Sequence, residues 1–245
     1  MRKSNFEIKE LSASQIKARL TTVCKTLYLL FNEGYYAKGR DELIRYDLCY
    51  EAIRLTVLLT DHKPTNTAEV NALVALMCYQ NSRLDARLDE QGEPIDFEEQ
   101  DQSRWNMELV NRGNYYLVQA TAHQQTSNYH LEAAIAYWHT TQDQEAKWKP
   151  ILDLYNQLIL IEYSPITALN RTFAFAKVYG YAEGIQEAQK LNLTHLPSYF
   201  ELLAYLSAPT NKADAITFYK EALALVHIAN ERKRILKKIK QLHQD

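Results

Sequence analysis

Glycine and proline are scarce, with six of each in 245 residues. A fold made of many tight turns needs far more of both, so a turn-rich all-β sandwich or barrel is excluded. Cysteine is scarcer still. Cys24, Cys49 and Cys78 are an odd number, each lies in an apolar helical run, and their intervals match no zinc spacing. They read as buried thiols rather than as a disulfide framework. No apolar run comes near the roughly 18 residues that cross a bilayer, and residues 1–10 carry no apolar signal-peptide core. The expectation is a cytoplasmic protein with no membrane contact. Cations number 28 against 30 acids, a net charge of −2, so nothing draws the whole chain to nucleic acid or to a membrane. There is no Gly-rich phosphate loop and no Gly-x-Ser-x-Gly elbow, and the seven histidines never fall in a His-x-x-x-His spacing. No catalytic, cofactor or metal site assembles from the titratable residues; the chain is expected not to be an enzyme and to need no cofactor.

What the sequence has in quantity is helical periodicity. Ile16, Leu20, Val23, Leu27 and Leu30 step by three and four along 12–31. The run ends in Asn32-Glu33-Gly34, with Gly34 placed for a left-handed C-terminal turn. A second helix over 41–59 carries Leu48, Ala52, Leu55 and Leu59 on one face, and Asp61-His62-Lys63-Pro64 breaks it. Thr67 caps a third, which runs to about 88 through Val70, Leu73, Val74 and Met77. Further helices read over 102–121, 130–141, 145–161 and 165–178, the last opened by Ser164-Pro165 and closed by Gly180. Four more follow over 182–191, 197–206, 213–226 and 230–242. The fold class is therefore all-α: an array of helical hairpins of about eleven helices with no convincing strand. In the C-terminal third, Tyr199, Leu202 and Leu206 face Ala215, Tyr219 and Ala222, the large-against-small pairing of a tetratricopeptide-like solenoid. The pair before it fits more loosely, through Gly184, Ala188 and Leu191.

Charge is concentrated in two places. Between Asp85 and Asp101 lie eight acids and one arginine; this is either a solvated loop or a site for a cation or basic partner, although its spacing is not that of a calcium loop. The tail from Arg232 to Lys240 is basic, with Ile235, Leu236 and Ile239 interleaved, and reads as an amphipathic capping helix with a solvated basic face. Arg83, Arg87, Asp101 and Arg104-Trp105 bracket the acidic loop. They form either an ion-pair network reaching Glu98 and Glu99 or the wall of a groove for a peptide or ligand. Tyr28, Asn32, Glu33, Tyr35, His139, Asn170 and Arg171 are the other candidates for that groove. Glu33 is expected to pair with an arginine.

Several segments in order carry a resemblance: Leu27-Tyr28-Leu29-Leu30-Phe31-Asn32-Glu33-Gly34-Tyr35, then Asp47-Leu48-Cys49-Tyr50-Glu51-Ala52-Ile53-Arg54-Leu55, Ala72 through Met77, Ser82-Arg83-Leu84-Asp85-Ala86-Arg87, Asp101-Gln102-Ser103-Arg104-Trp105, Leu131 through Ala136 and Ser164-Pro165 through Asn170-Arg171. Together they resemble the C-terminal tetratricopeptide-like helical domain of extracytoplasmic-function (ECF) RNA polymerase sigma factors. The resemblance implies a bundle over 1–162 followed by repeats and a basic cap over 163–245, packed as one unit. It also implies a protein-interaction domain that regulates transcription initiation, with RNA polymerase, the sigma regions of the parent protein, or a regulatory protein or peptide as partner. In that family the promoter-binding regions lie upstream, so no direct promoter recognition by this chain is expected. The other reading is a standalone scaffold that binds a peptide or small ligand in its concave groove.

Overall fold

The computed structural model describes residues 12–36, 44–90, 92, 94–121, 126–141 and 145–244. Among them are eleven α-helices and three short 3-10 turns, and the single β-type pairing is one isolated bridge between Leu88 and Pro94. The helices are α1 (Ala13–Tyr35), α2 (Tyr46–Thr60), α3 (Ala68–Asn81), α4 (Met107–Ala120), α5 (Asn128–Thr140), α6 (Trp148–Ile161), α7 (Pro165–Tyr179), α8 (Tyr181–Leu191), α9 (Pro197–Ser207), α10 (Lys212–Leu225) and α11 (Ala229–Gln244). Each packs chiefly on its neighbours in sequence, which makes the chain a helical-hairpin array. No helix among the described residues is long and apolar enough to cross a membrane.

The helix ends follow local chemistry. Ser12, Thr67, Asn106, Ser164 and Asn211 each accept a backbone N–H at the start of a helix, satisfying one otherwise unpaired donor. Gly180 ends α7 at φ 110°, a conformation that costs a side chain dearly. Gly34 behaves differently from the expectation. It has no positive φ and lies inside α1 against α2, where an added Cβ would stand 2.7 Å from the Arg45 carbonyl oxygen and 2.8 Å from Cys49 Sγ. Glycine is used there for close approach of two helices rather than for a turn.

α3 is apolar on every face, and twelve of its fourteen residues are buried, Leu73, Val74 and Met77 completely. It contacts α1, α2, α4 and α5, so it is the axis of the N-terminal core. α2 is turned from the expected stripe: Cys49, Ala52, Ile53 and Thr56 are buried, while Leu48, Leu55 and Leu59 are half-buried. α3 ends at Asn81, short of the expected 88, and α4 begins at Met107 rather than at 102. Trp105 therefore belongs to an extended connection and not to a helix. The expected start of the second helix, at 41, lies outside the described residues.

Smaller clusters continue the core. Leu131, Ile135, Ile151, Leu152, Leu158 and Ala174 join α5, α6 and α7 across position 162. In the C-terminal third Tyr199, Leu202, Leu206, Ala215, Tyr219 and Ala222 are all buried, as the large-against-small pairing requires. Gly184 lets α8 approach α7 so closely that a Cβ would stand 2.4 Å from that of Ala176.

Candidate functional site

The connection from α3 to α4 does not hang in solvent. Its acids cross to the far end of the array and pair with the basic tail of the same chain. Asp96 accepts from Arg234 at 3.2 Å and from Lys238 at 2.8 Å, and Glu99 accepts from Lys238 at 2.7 Å. Glu98 meets Lys177 at 2.8 Å and also accepts from the Tyr205 hydroxyl. Lys177 sits among the rings of Trp148, Phe173, Tyr181 and Tyr205, 5.1 to 5.6 Å from their centroids, an arrangement that adds cation–π attraction to the ion pair. The solvated readings of these segments are corrected in part: Asp96, Glu98 and Glu99 of the loop pair with Arg234, Lys238 and Lys177, while Asp85, Glu90 and Asp101 stay exposed. Lys233, Lys237 and Lys240 remain exposed.

This acidic strap forms one wall of an open cavity of about 680 Å³ lined from α1, α3, α5, α6, α7, α9 and α11. That is within the range of small-molecule sites. On the α5 side the polar groups are Glu132 and His139, two helical turns apart. The Tyr28 hydroxyl donates to Glu132 at 3.0 Å and accepts from Gln80 Nε2 at 3.4 Å. Burial pushes the Glu132 carboxyl up to about 7; the bond from Tyr28 opposes this, and the charge of Glu162 adds to it. Tyr155 is hydrogen-bonded to Asn170, and burial raises its hydroxyl pKa. His139 lies against Phe97, with centroids 4.7 Å apart, and its Nδ1 is buried without a partner. Burial, with Arg83 and Lys147 nearby, pushes its imidazole down to about 3, so the ring is neutral at physiological pH.

Arg83 joins this cavity to the end of α1. It donates to the Tyr35 hydroxyl at 3.1 Å and stacks over Phe97 at 4.6 Å and Trp105 at 5.9 Å. Arg87 lies 3.8 Å over the Tyr35 ring and donates to the Tyr35 carbonyl. Trp105 is buried, with its Nε1 unpartnered, as is Asn32 Oδ1.

The candidates thus separate. Tyr28, Arg83, His139 and Asn170 line the cavity, and Tyr35, Arg87 and Trp105 support Arg83 from behind. Asp101 is exposed and caps the turn before Trp105 through Ser103 N–H at 2.9 Å; the Ser103 side chain first, and this N–H second, lower its carboxyl pKa. Arg104 does not reach Glu98 or Glu99; it is exposed and donates to the Leu88 carbonyl at 3.2 Å. Arg171 points elsewhere, to Asn156 at 2.8 Å and Glu187 at 2.7 Å. Glu33 is exposed and pairs with no arginine among the described residues, because Tyr35 and its carbonyl take Arg83 and Arg87 instead. Sequence reasoning missed Glu132, Tyr155, Gln80 and Lys177. The one available signal was Glu132 itself, a lone acid in the apolar run Leu131-Glu132-Ala133-Ala134-Ile135-Ala136.

Residues 19–121 match a family described as one of unknown function, DUF6596. An uncharacterized protein of Rhizobium meliloti (strain 1021) is 33% identical over 219 residues, covering 87% of this chain and 51% of the relative. The chain therefore spans about half the length of that curated relative. No solved structure matches it.

Proposed function

We propose that this chain is a regulatory protein-interaction domain of the kind carried by extracytoplasmic-function sigma factors. In this role it controls transcription initiation through contacts with RNA polymerase or with sigma regions, and turns over no substrate. The supporting observation is that the segments carrying the resemblance converge in space. The end of α1, in the segment 27–35, is held by Arg83 and Arg87 from the segment 82–87, and Arg83 stacks on Trp105 from the segment 101–105. Ser82 O also accepts Asn106 N–H at 2.8 Å, tying the segment 82–87 to the residue that follows Trp105. Segments distant in sequence that meet in one cluster behave as one recognisable structural signature. The matched half of the Rhizobium relative leaves room in that protein for further regions.

The test uses the purified chain with core RNA polymerase and with a promoter-binding sigma fragment encoded in the same genome. Saturable binding to either, measured by calorimetry, together with a changed yield of run-off transcript, supports the reading. A folded chain that binds neither and leaves transcript yield unchanged overturns it. The second reading, a scaffold with a ligand in its concave face, is favoured by the cavity and is pursued next.

A further inference from the structure

The cavity has an imbalance of hydrogen-bonding groups at one end. Glu132 brings a carboxylate whose one hydrogen bond is from Tyr28, and among the described residues no Lys or Arg pairs with it. Gln80 Oε1 is buried beside the same tyrosine with no donor at all. An ionised carboxylate and a carbonyl oxygen are acceptors only, and burying either without a donor is unfavourable. The surrounding surface is aromatic: Tyr28, Tyr36 and Tyr155 line this end. An acid set in aromatic walls is the chemistry that recognises an organic ammonium group, through an ion pair, N–H donors and the negative faces of the rings. Beyond it, Ile135, Leu158 and Phe173 give the cavity an apolar continuation toward Trp148.

We propose that this cavity binds a small organic amine, its ammonium group on Glu132 and Gln80 and its apolar or aromatic body running along α5 toward Phe173 and Trp148. Such a ligand supplies the missing cation and the missing donors and fills the apolar volume. Arg83 is engaged by Tyr35 and stacked on Phe97; its charge reaches Tyr36 and Tyr155, but no arginine is among the groups that shift Glu132. The acidic strap is the wall nearest Arg83 and His139, and a bound ligand body is in contact with Phe97. The proposal does not depend on the transcriptional reading: amine binding and polymerase binding are separate measurements, and either can fail alone.

The test is calorimetric titration of the whole chain with tryptamine, tyramine and phenethylamine, against indole-3-propionate, which has an aromatic body and the opposite charge. At least one amine is expected to bind saturably with a stoichiometry of one, and indole-3-propionate not to bind. Glu132→Gln, checked for an unchanged circular dichroism spectrum, is expected to weaken amine binding at least tenfold. If that variant does not fold, Ala136→Phe decides, since it fills the cavity and leaves the carboxyl in place; it is expected to abolish binding. The proposal is overturned if no amine binds, if indole-3-propionate binds as tightly as the amines, or if the folded variant retains wild-type affinity.

Discussion

Arg234 Nη1 lies 3.2 Å from Asp96 Oδ1, a contact between residues 138 positions apart. The same guanidinium reaches Glu201 at 2.6 Å, so α11, α9 and the acidic strap meet at one cation. Eight acids within the 17 residues 85–101 repel one another; here Asp96, Glu98 and Glu99 are held because the chain delivers Arg234, Lys238 and Lys177 to them. Since these pairs are partly exposed, each contributes modestly, about 1 kcal/mol or less, and the set acts together.

A double-mutant cycle on Asp96→Asn and Arg234→Gln measures that contribution. A coupling free energy of about 1 kcal/mol is expected from urea unfolding at low salt, falling at 1 M salt, where charges are screened beyond about 3 Å. Amide exchange over 94–104 is expected to quicken in both single variants. Zero coupling with unchanged exchange removes the strap's electrostatic anchor.

Gly34→Ala is expected to destabilise the fold by about 2 kcal/mol. In an open helix alanine is favoured over glycine by about 1 kcal/mol, but here the methyl would meet the Arg45 carbonyl at 2.7 Å and Cys49 Sγ at 2.8 Å. Backbone cannot swing aside as a side-chain tip does, so α2 must move off α1. A rise in the urea midpoint on this substitution contradicts the close-approach role.

Glu132 predicts a specific pH dependence. The groups facing it are Tyr28 of α1 and Tyr36 just after it, Gln80 of α3, Tyr129 of α5, and Tyr155 of α6 with Glu162 just after that helix. Its carboxyl is raised from 4.5 to about 7 in the fold, mainly by burial. The native state therefore holds this proton more tightly than the unfolded chain, and stability falls as pH rises from about 4.5 to about 7. Glu132→Gln removes that loss. The variant is expected to match the wild type near pH 4 and to exceed it by about 2 kcal/mol at pH 8. A variant less stable than the wild type at pH 8 refutes this account of the carboxyl.

The three thiols are expected to be silent in the native protein. Burial pushes Cys24 and Cys78 up to about 12 and Cys49 up to about 11, so almost no thiolate exists at pH 8, and each sulfur is closed off from solvent. Titration with a chromogenic disulfide should show no reaction until denaturant is added and then three equivalents. Fast labelling of the native chain would show that the core around α1, α2 and α3 opens readily.

Much of the fold was readable along the chain because its cause is local. The steps of three and four in α1, the hydroxyl caps at Thr67 and Ser164 and the stop at Gly180 each act within a turn or two of themselves. Local signals failed where a residue's role depends on a neighbour brought from elsewhere. Gly34 has the sequence look of a helix stop, yet α2 arriving across it makes it an internal contact glycine. Trp105 fits a helical stripe by spacing, yet Arg83 and Phe97 draw it into an extended connection. Glu33 reads as the partner of an arginine and Arg104 as a partner of Glu98 and Glu99, whereas in the fold Arg83 and Arg87 go to Tyr35, Arg104 to the Leu88 carbonyl, and Glu98 and Glu99 to Lys177 and Lys238.

By itself, then, the sequence determined an all-helical array, the capped helix starts at Thr67 and Ser164 and the small-residue hairpin of α9 and α10, since hydrogen bonding and side-chain periodicity within a helix are set by residues three and four apart. Only the tertiary structure decided which acid meets which base and which polar groups face inward. Surface charges of one sign are nearly equivalent in sequence, and their choice of partner follows from where the packed helices carry them. The cavity with Glu132 at one end and the strap across its wall are consequences of that packing.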